Sequence, residues 1–160
     1  MEIFFTDDEL KEVSQIESRY PEKSAAIMPI LWMAQKKFGW ISKGVITYIA
    51  ELLNISPSKV EGVATFYTMF NKKPIGKYHI QVCTNVSCML REGVKIYQYL
   101  SDKLKISNME TTSNGLFSLE EVECMGACGG APMIAINEDY YENITIEKID
   151  EILENIQTNN

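Results

Sequence analysis

The chain has 160 residues, of which 46% are hydrophobic and 23% are charged, and its formal net charge is −7. These proportions are typical of a globular protein, and no run approaches the roughly 18 consecutive apolar residues that a membrane span requires. The acidic balance, without a cluster of Lys and Arg, disfavours nucleic acids and anionic membranes, because binding to either needs a basic surface. We therefore expect protein partners and small cofactors, with no nucleic acid and no direct membrane insertion.

The first residues, MEIFFTDDELKEV, are acidic, whereas signal and transit peptides are basic. We therefore expect the protein to stay in the compartment where it is made, the cytoplasm. Cysteines in that reducing compartment serve as metal ligands or reactive thiols more often than as disulfides.

The first half of the chain contains only helical periodicities. Thr6 and Glu9 form a capping-box pair ahead of apolar residues at three-residue intervals. A second helix is predicted over residues 22–38, with Gly39 as its C-terminal stop. Pro29 lies within that segment and predicts a kink or a later start.

Two more helices are predicted after Gly39. Ser42 is the predicted N-cap of a third helix that ends near Asn54, and Ser56-Pro57 predicts the start of a fourth. Short helices with short connections are typical of a small bundle, so we predict a helical domain over residues 1–72.

The periodicity changes from helical to alternating after residue 72. Apolar and polar residues alternate over residues 78–83, as in a strand with one buried face, and a helix is predicted over residues 88–104. The pair Asn114-Gly115 favours a hairpin turn, because both residues tolerate positive φ angles.

Three further elements complete the second half. The second strand of the hairpin runs into Cys124, residues 132–136 are typical of another strand, and Thr145 is the predicted cap of a final helix. The predicted order is β-α-β-β-β-α, an α+β arrangement with helices on one side of a small sheet. We therefore predict a second domain over residues 73–160.

All four cysteines lie in this second half, in two pairs. Four residues separate Cys83 from Cys88, and three separate Cys124 from Cys128. Each pair lies in a loop at the end of a predicted strand, and we expect the two loops to meet at one edge of the sheet. A 2Fe–2S cluster takes two cysteine sulfurs at each iron, so the pattern favours one such cluster on these four residues.

Three other interpretations of the cysteines stay open on spacing alone. Two disulfides would suit a secreted protein. A structural zinc site uses the same ligands but favours two-residue spacing within a pair, and a zinc-binding adaptor is therefore an alternative. A thiol–disulfide exchanger usually carries Cys-x-x-Cys, which neither pair matches.

The residues around the cysteines favour the cluster further. Glycines surround the second pair: Gly126, Gly129 and Gly130. They allow backbone N–H groups to approach the sulfurs. Three polar residues in the first loop are expected to hydrogen-bond to sulfur in the same way: Thr84, Asn85 and Ser87. His79, the only histidine, is expected to be solvated or bonded locally.

The segments CTNVSC (83–88) and CMGACGGAPM (124–133), with EGVATFYTMF (61–70) upstream, resemble a known family. They are similar to the small thioredoxin-like 2Fe–2S subunits of NADH:ubiquinone oxidoreductase, respiratory complex I, and the similarity extends over nearly the whole chain. The resemblance implies a helical N-terminal domain followed by a thioredoxin-like 2Fe–2S ferredoxin domain. It further implies that Cys83 and Cys88 bind one iron, and that Cys124 and Cys128 bind the other.

The same resemblance implies a partner for this chain. It predicts docking on a larger flavoprotein subunit that carries FMN and the NADH site, and exchange of single electrons with that flavin. The chain has no Gly-x-Gly-x-x-Gly fingerprint, so we expect FMN and NADH on the partner and no catalytic residue here.

The implied assembly is a larger multi-subunit redox complex, NADH:quinone oxidoreductase (NADH dehydrogenase). Through it the chain is expected to lie peripherally on the cytoplasmic face of the inner membrane. Closely similar subunits also serve NAD(P)-linked hydrogenases and formate dehydrogenases, which stay open as alternatives.

Overall fold

A computed structural model of the chain describes residues 3–158, and the chain divides into two compact units between Pro74 and Ile75. In the described residues, the first unit contains helices and no strand, and the second contains helices and a five-stranded sheet. This order confirms the predicted fold class. The predicted domain limits, residues 1–72 and 73–160, stay a prediction.

Four α-helices form the described part of the first unit: α1 (Asp7–Glu17), α2 (Ile27–Phe38), α3 (Lys43–Leu53) and α4 (Pro57–Phe66). The predicted capping box is confirmed, because Thr6 and Glu9 each accept a backbone N–H of the other with their side chains. Gly39 ends α2 with a φ of +82°. The Ser42 hydroxyl caps α3 by accepting the Val45 N–H at 3.2 Å.

Helix α2 begins later than residue 22. Residues Lys23–Ala26 form a 3-10 turn, and Pro29 lies in the first turn of α2, where a missing N–H breaks no intrahelical bond. The later start that Pro29 predicts is therefore confirmed. Apolar side chains of the four helices form one core, with these large residues fully buried: Ile30, Leu31, Ile49, Leu53 and Phe70.

Five strands form the sheet of the second unit: β1 (Tyr78–Cys83), β2 (Glu110–Thr111), β3 (Phe117–Val122), β4 (Ile134–Ile136) and β5 (Asp139–Tyr141). Their order is β2-β3-β1-β4-β5, in which β1 and β3 pair in parallel and the other neighbours pair antiparallel. The parallel register sets Tyr78 opposite Phe117 and Cys83 opposite Val122. The C-terminal ends of β1 and β3 therefore lie side by side.

Three α-helices complete the second unit: α5 (Val86–Leu90), α6 (Gly93–Leu104) and α7 (Ile146–Thr158). Apolar side chains of α6 and α7 pack against one face of the sheet, as predicted. The Thr145 hydroxyl accepts the Lys148 N–H at 3.3 Å, which confirms the predicted cap of α7. In the part of the chain that the structure describes, no helix is long and apolar enough to span a membrane.

Two predictions for this unit are wrong in detail. The single helix over residues 88–104 is two helices, because Glu92 adopts a left-handed conformation with a φ of +70°. The short strand β5, absent from the predicted order, adds a fifth strand beside β4. The hairpin at Asn114-Gly115 is confirmed, with β2 antiparallel to β3 and a φ of +70° at Gly115.

Candidate metal centre

The first cysteine pair is buried and lies on regular elements. Cys83 is the last residue of β1 and is 3% exposed, and Cys88 lies within α5 and is 2% exposed. The Asn85 side chain begins α5 by accepting the Val86 N–H at 2.7 Å. Both thiols pack against Met133, which is also buried. The fold therefore fixes the positions of these two sulfurs.

The second pair is exposed and lies in the loop that follows β3. The Sγ atoms of Cys124 and Cys128 are 3.3 Å apart. The Gly126 N–H donates to the Cys124 Sγ at 3.4 Å, and Gly126 has a φ of +85°, a conformation that favours glycine. A turn and its hydrogen bonds, rather than a packed core, hold these two sulfurs.

The electrostatics of the thiols connect the two pairs. Burial raises the pKa of the Cys88 thiol to about 11, and the neighbouring Cys83 and Cys128 thiols raise it further. The pKa of Cys128 is raised as well, first by the hydrogen bond with Cys124 and also by the charge of Cys83. Each pair therefore lies within electrostatic range of the other.

Cys124 differs from its neighbours in the sign of its shift. The N–H of Gly126 lowers the pKa of the Cys124 thiol, and the hydrogen bond from Cys128 lowers it further. An N–H directed at sulfur stabilises the thiolate, which is the form that binds iron. The cysteine loop of β3 thus favours the ligand form of Cys124 before any metal charge is added.

The donor set fits a 2Fe–2S cluster, which needs two thiolates at each iron and N–H groups near sulfur. Cys83, Cys88, Cys124 and Cys128 supply two thiol pairs from two adjacent loops. Within residues 3–158, no group of three or more Cys, His, Asp or Glu side chains has the arrangement of a single-ion site. The assignment of the four cysteines as ligands stays a prediction.

Gly93 is a site residue that sequence reasoning missed. A Cβ atom at this position would lie 2.7 Å from the Cys83 carbonyl oxygen and 2.9 Å from that of Cys88. Only glycine lets the start of α6 approach both backbone segments of the first pair so closely. A glycine at the start of the predicted helical periodicity was the available signal.

The polar residues of the first loop divide into two groups. Thr84 and Asn85 do not bond to sulfur, and that expectation is wrong: they donate to the carboxylates of Glu121 and Glu123. These bonds attach the first cysteine loop to the end of β3. The expectation for Ser87 is confirmed, because its hydroxyl hydrogen-bonds with the Cys128 thiol and thereby opposes the rise in the pKa of that thiol.

The glycines of the second loop also differ from one another. Gly126 donates to sulfur as predicted, whereas the Gly130 N–H donates to the Ala127 carbonyl oxygen at 3.0 Å. Gly130 is instead required for close packing, because a Cβ atom there would overlap the side chain of Glu142. A contact of Gly129 with sulfur stays a prediction.

His79 lies apart from the cysteines and is bonded locally, as expected. Its ring is buried between two side chains of β3: Nδ1 lies 2.8 Å from the Ser118 hydroxyl, and Nε2 lies 2.9 Å from a Glu120 carboxylate oxygen. These contacts join neighbouring strands and give the ring a structural role.

A sequence model of the thioredoxin-like [2Fe-2S] ferredoxin family matches residues 13–157. A small NADH-quinone oxidoreductase component from Rickettsia prowazekii is 43% identical over 153 residues, which cover 94% of this chain and 86% of that protein. A component of the same name from Rhizobium meliloti (strain 1021) is 40% identical over 147 residues, which cover 92% of this chain and 88% of that protein.

A similar solved structure is the crystal structure of an NAD+-reducing [NiFe]-hydrogenase in the air-oxidized state. The TM-score is 0.73 at 19% sequence identity, and the match covers 83% of this chain and 23% of that chain. At that identity the likeness shows the fold alone.

Proposed function

Because this chain belongs to the thioredoxin-like [2Fe-2S] ferredoxin family, whose members carry one 2Fe–2S cluster, we propose that Cys83, Cys88, Cys124 and Cys128 bind that cluster and that the chain transfers electrons. One observation carries the proposal: two thiol pairs leave the adjacent C-terminal ends of β1 and β3 and influence each other's ionisation. Cys83 and Cys88 would bind one iron, and Cys124 and Cys128 the other.

The chemistry that the cluster supplies when bound is the uptake and return of one electron. The residues of this chain position it and control its surroundings. Cys83, Cys88 and Met133 exclude water on the buried side, while the Gly126 N–H stabilises negative charge on Cys124. The exposed side at Cys124 and Cys128 leaves a route by which electrons can pass to another protein.

The assembly that we propose is NADH:quinone oxidoreductase, with this chain as one of its subunits and with FMN and NADH on a flavoprotein partner. Relatives that are 40% and 43% identical carry that enzyme's name. The hydrogenase structure shares the fold at 19% identity, so we prefer the quinone-linked assembly. Because quinones dissolve in the membrane, we propose that the complex lies at the cytoplasmic face of the inner membrane.

A surface for the flavoprotein lies beside the first cysteine pair. Helix α5 buries Cys88 but exposes three apolar side chains, with exposed fractions of 59% for Val86, 51% for Met89 and 77% for Leu90. Apolar side chains grouped at the surface are typical of a protein–protein contact. A partner bound here would also bring its flavin close to the cluster.

The test begins with anaerobic purification of the full chain. We expect iron and acid-labile sulfide in equal amounts, about two of each per chain, together with visible absorbance that NADH bleaches only when the flavoprotein is present. Leu90→Ser should weaken binding of the flavoprotein by about tenfold, whereas the matched control Ile146→Ser, at an exposed apolar position on α7, should not. A colourless protein with one zinc and no sulfide would contradict the proposal.

A further inference from the structure

Arg91 has an unusual place in the charge pattern. It is the only Lys or Arg residue in residues 78–94, and residues 106–147 contain none. These two segments carry all four cysteines and several carboxylates, among them Glu121 and Glu123. A cationic side chain in this part of the chain is therefore an exception.

The guanidinium of Arg91 contacts the second cysteine loop. Its Nη1 donates to the Ala131 carbonyl oxygen at 3.3 Å. Ala131 is buried and packs in the same small cluster as Cys83 and Cys88, three residues beyond Cys128. The bond therefore joins the end of α5, which carries one cysteine pair, to the loop that carries the other.

The neighbouring carboxylates have other partners. Glu92 pairs with Lys95, the Glu121 carboxylate accepts a hydrogen bond from Thr84, and that of Glu123 accepts one from Asn85. Among residues 3–158, the structure records no ion pair for Arg91. The positive charge at the cysteine loops is therefore not neutralised by an adjacent carboxylate in this part of the chain.

We propose that Arg91 is a positioning residue that holds the second cysteine loop on α5 and raises the reduction potential of the cluster. Reduction adds one electron and hence one negative charge, so a nearby cation stabilises the reduced state more than the oxidised one. Arginine stays protonated throughout the physiological pH range, so this contribution does not vary with pH. The inference rests on the proposed function, because it requires the cluster.

The experiment is a redox titration of the anaerobically purified full chain, followed by visible absorbance and electron paramagnetic resonance. At a fixed solution potential, we expect the ratio of reduced to oxidised cluster in Arg91→Gln to fall about threefold to tenfold, where tenfold corresponds to about 59 mV for one electron. Arg91→Lys keeps the charge and should stay within about twofold of the unsubstituted chain. The fall in Arg91→Gln should shrink at high salt, because the guanidinium is partly exposed.

Lys95→Gln is the matched control. It removes the same charge from an exposed side chain on α6 and should leave the potential unchanged. An unchanged potential in Arg91→Gln with full iron content, or an equal fall in Lys95→Gln, would overturn the proposal.

If Arg91→Gln retains no cluster, Arg91→Lys decides. A cluster of normal potential in Arg91→Lys supports the role of the charge, and loss of the cluster in both variants overturns it. An unsubstituted chain without iron and sulfide would instead refute the proposed function, so the two failures are distinguishable.

Discussion

The two cysteine pairs have the same composition but opposite surroundings. Cys83 and Cys88 are buried on a strand and a helix, whereas Cys124 and Cys128 are exposed in a loop. The pKa of Cys88 is raised by burial, and the pKa of Cys124 is lowered by the Gly126 N–H. The difference teaches that folding itself positions one half of the ligand set, while a turn and a few hydrogen bonds position the other.

Serine substitutions should give the largest effects and sharpen this comparison. We expect Cys88→Ser to abolish the cluster and to lower the free energy of unfolding of the cluster-free chain by about 1–3 kcal/mol, because a hydroxyl replaces a buried thiol. Cys124→Ser should lose or weaken the cluster but leave that stability unchanged, because Cys124 is exposed. Iron and sulfide analysis and urea denaturation measure the two quantities.

Two results would break the comparison between the pairs. Intact cluster absorbance in Cys124→Ser would count against its assignment as a ligand. An equal loss of stability in both variants would show that the exposed loop contributes as much to folding as the buried pair does.

Alkylation of the cluster-free chain, prepared with a chelator and a reductant, should separate the thiols by rate. Iodoacetamide reacts with the thiolate, and a pKa of about 11 leaves roughly one Cys88 in a thousand ionised at pH 8. We expect Cys124 to react first and Cys88 last. The rate at Cys88 should rise about tenfold per pH unit until pH approaches the pKa, because the thiolate fraction rises in proportion.

Mass spectrometry of the alkylated peptides gives the order of reaction. Alkylation of Cys88 as fast as Cys124 in the folded chain would mean that burial does not distinguish the pairs. The same reaction in urea is the control, since unfolding should make the four rates similar.

A glycine substitution should give the smallest of the three effects. Gly93→Ala places a methyl group against the Cys83 and Cys88 carbonyl oxygens and should lower the free energy of unfolding by about 1–3 kcal/mol. The matched control is Gly62→Ala on α4, where no atom lies within 4 Å of the added Cβ. That change should raise stability by about 0.5–1 kcal/mol, because alanine is the better helix former.

Urea denaturation measures both glycine variants, and iron content reports on the site. A stabilised Gly93→Ala chain with full iron content would show that the approach of α6 to the first pair is not restrictive. A destabilised Gly62→Ala chain would show that the comparison with an open position fails.

The features that could be predicted from the sequence are those set by local interactions. Thr6, Gly39 and Ser42 begin or end helices through bonds to residues at most four positions away, so their patterns were sufficient. The cysteine spacing likewise indicated two pairs, since each pair lies within one short segment. Alternation over residues 78–83 indicated a strand because one face of β1 packs against helices.

The features that could not be predicted depend on contacts between distant segments. The break before α6 follows from the approach of Gly93 to the backbone of Cys83 and Cys88, which no helical periodicity records. Thr84 and Asn85 bond to carboxylates on the other cysteine loop, so their partners depend on the pairing of β1 with β3. Strand β5 is three residues long and mostly exposed, which leaves no alternation to detect.

The parallel pairing of β1 with β3 has a consequence for the order in which the protein is made. The two strands are joined by a long connection that includes α5 and α6, and pairing between such distant segments forms slowly, because the intervening chain must first be ordered. The sulfurs of the two loops come together only when that pairing exists. Iron insertion is therefore a late event in the life of a newly synthesised molecule, and the iron content of a fresh preparation measures the share of molecules that have completed folding.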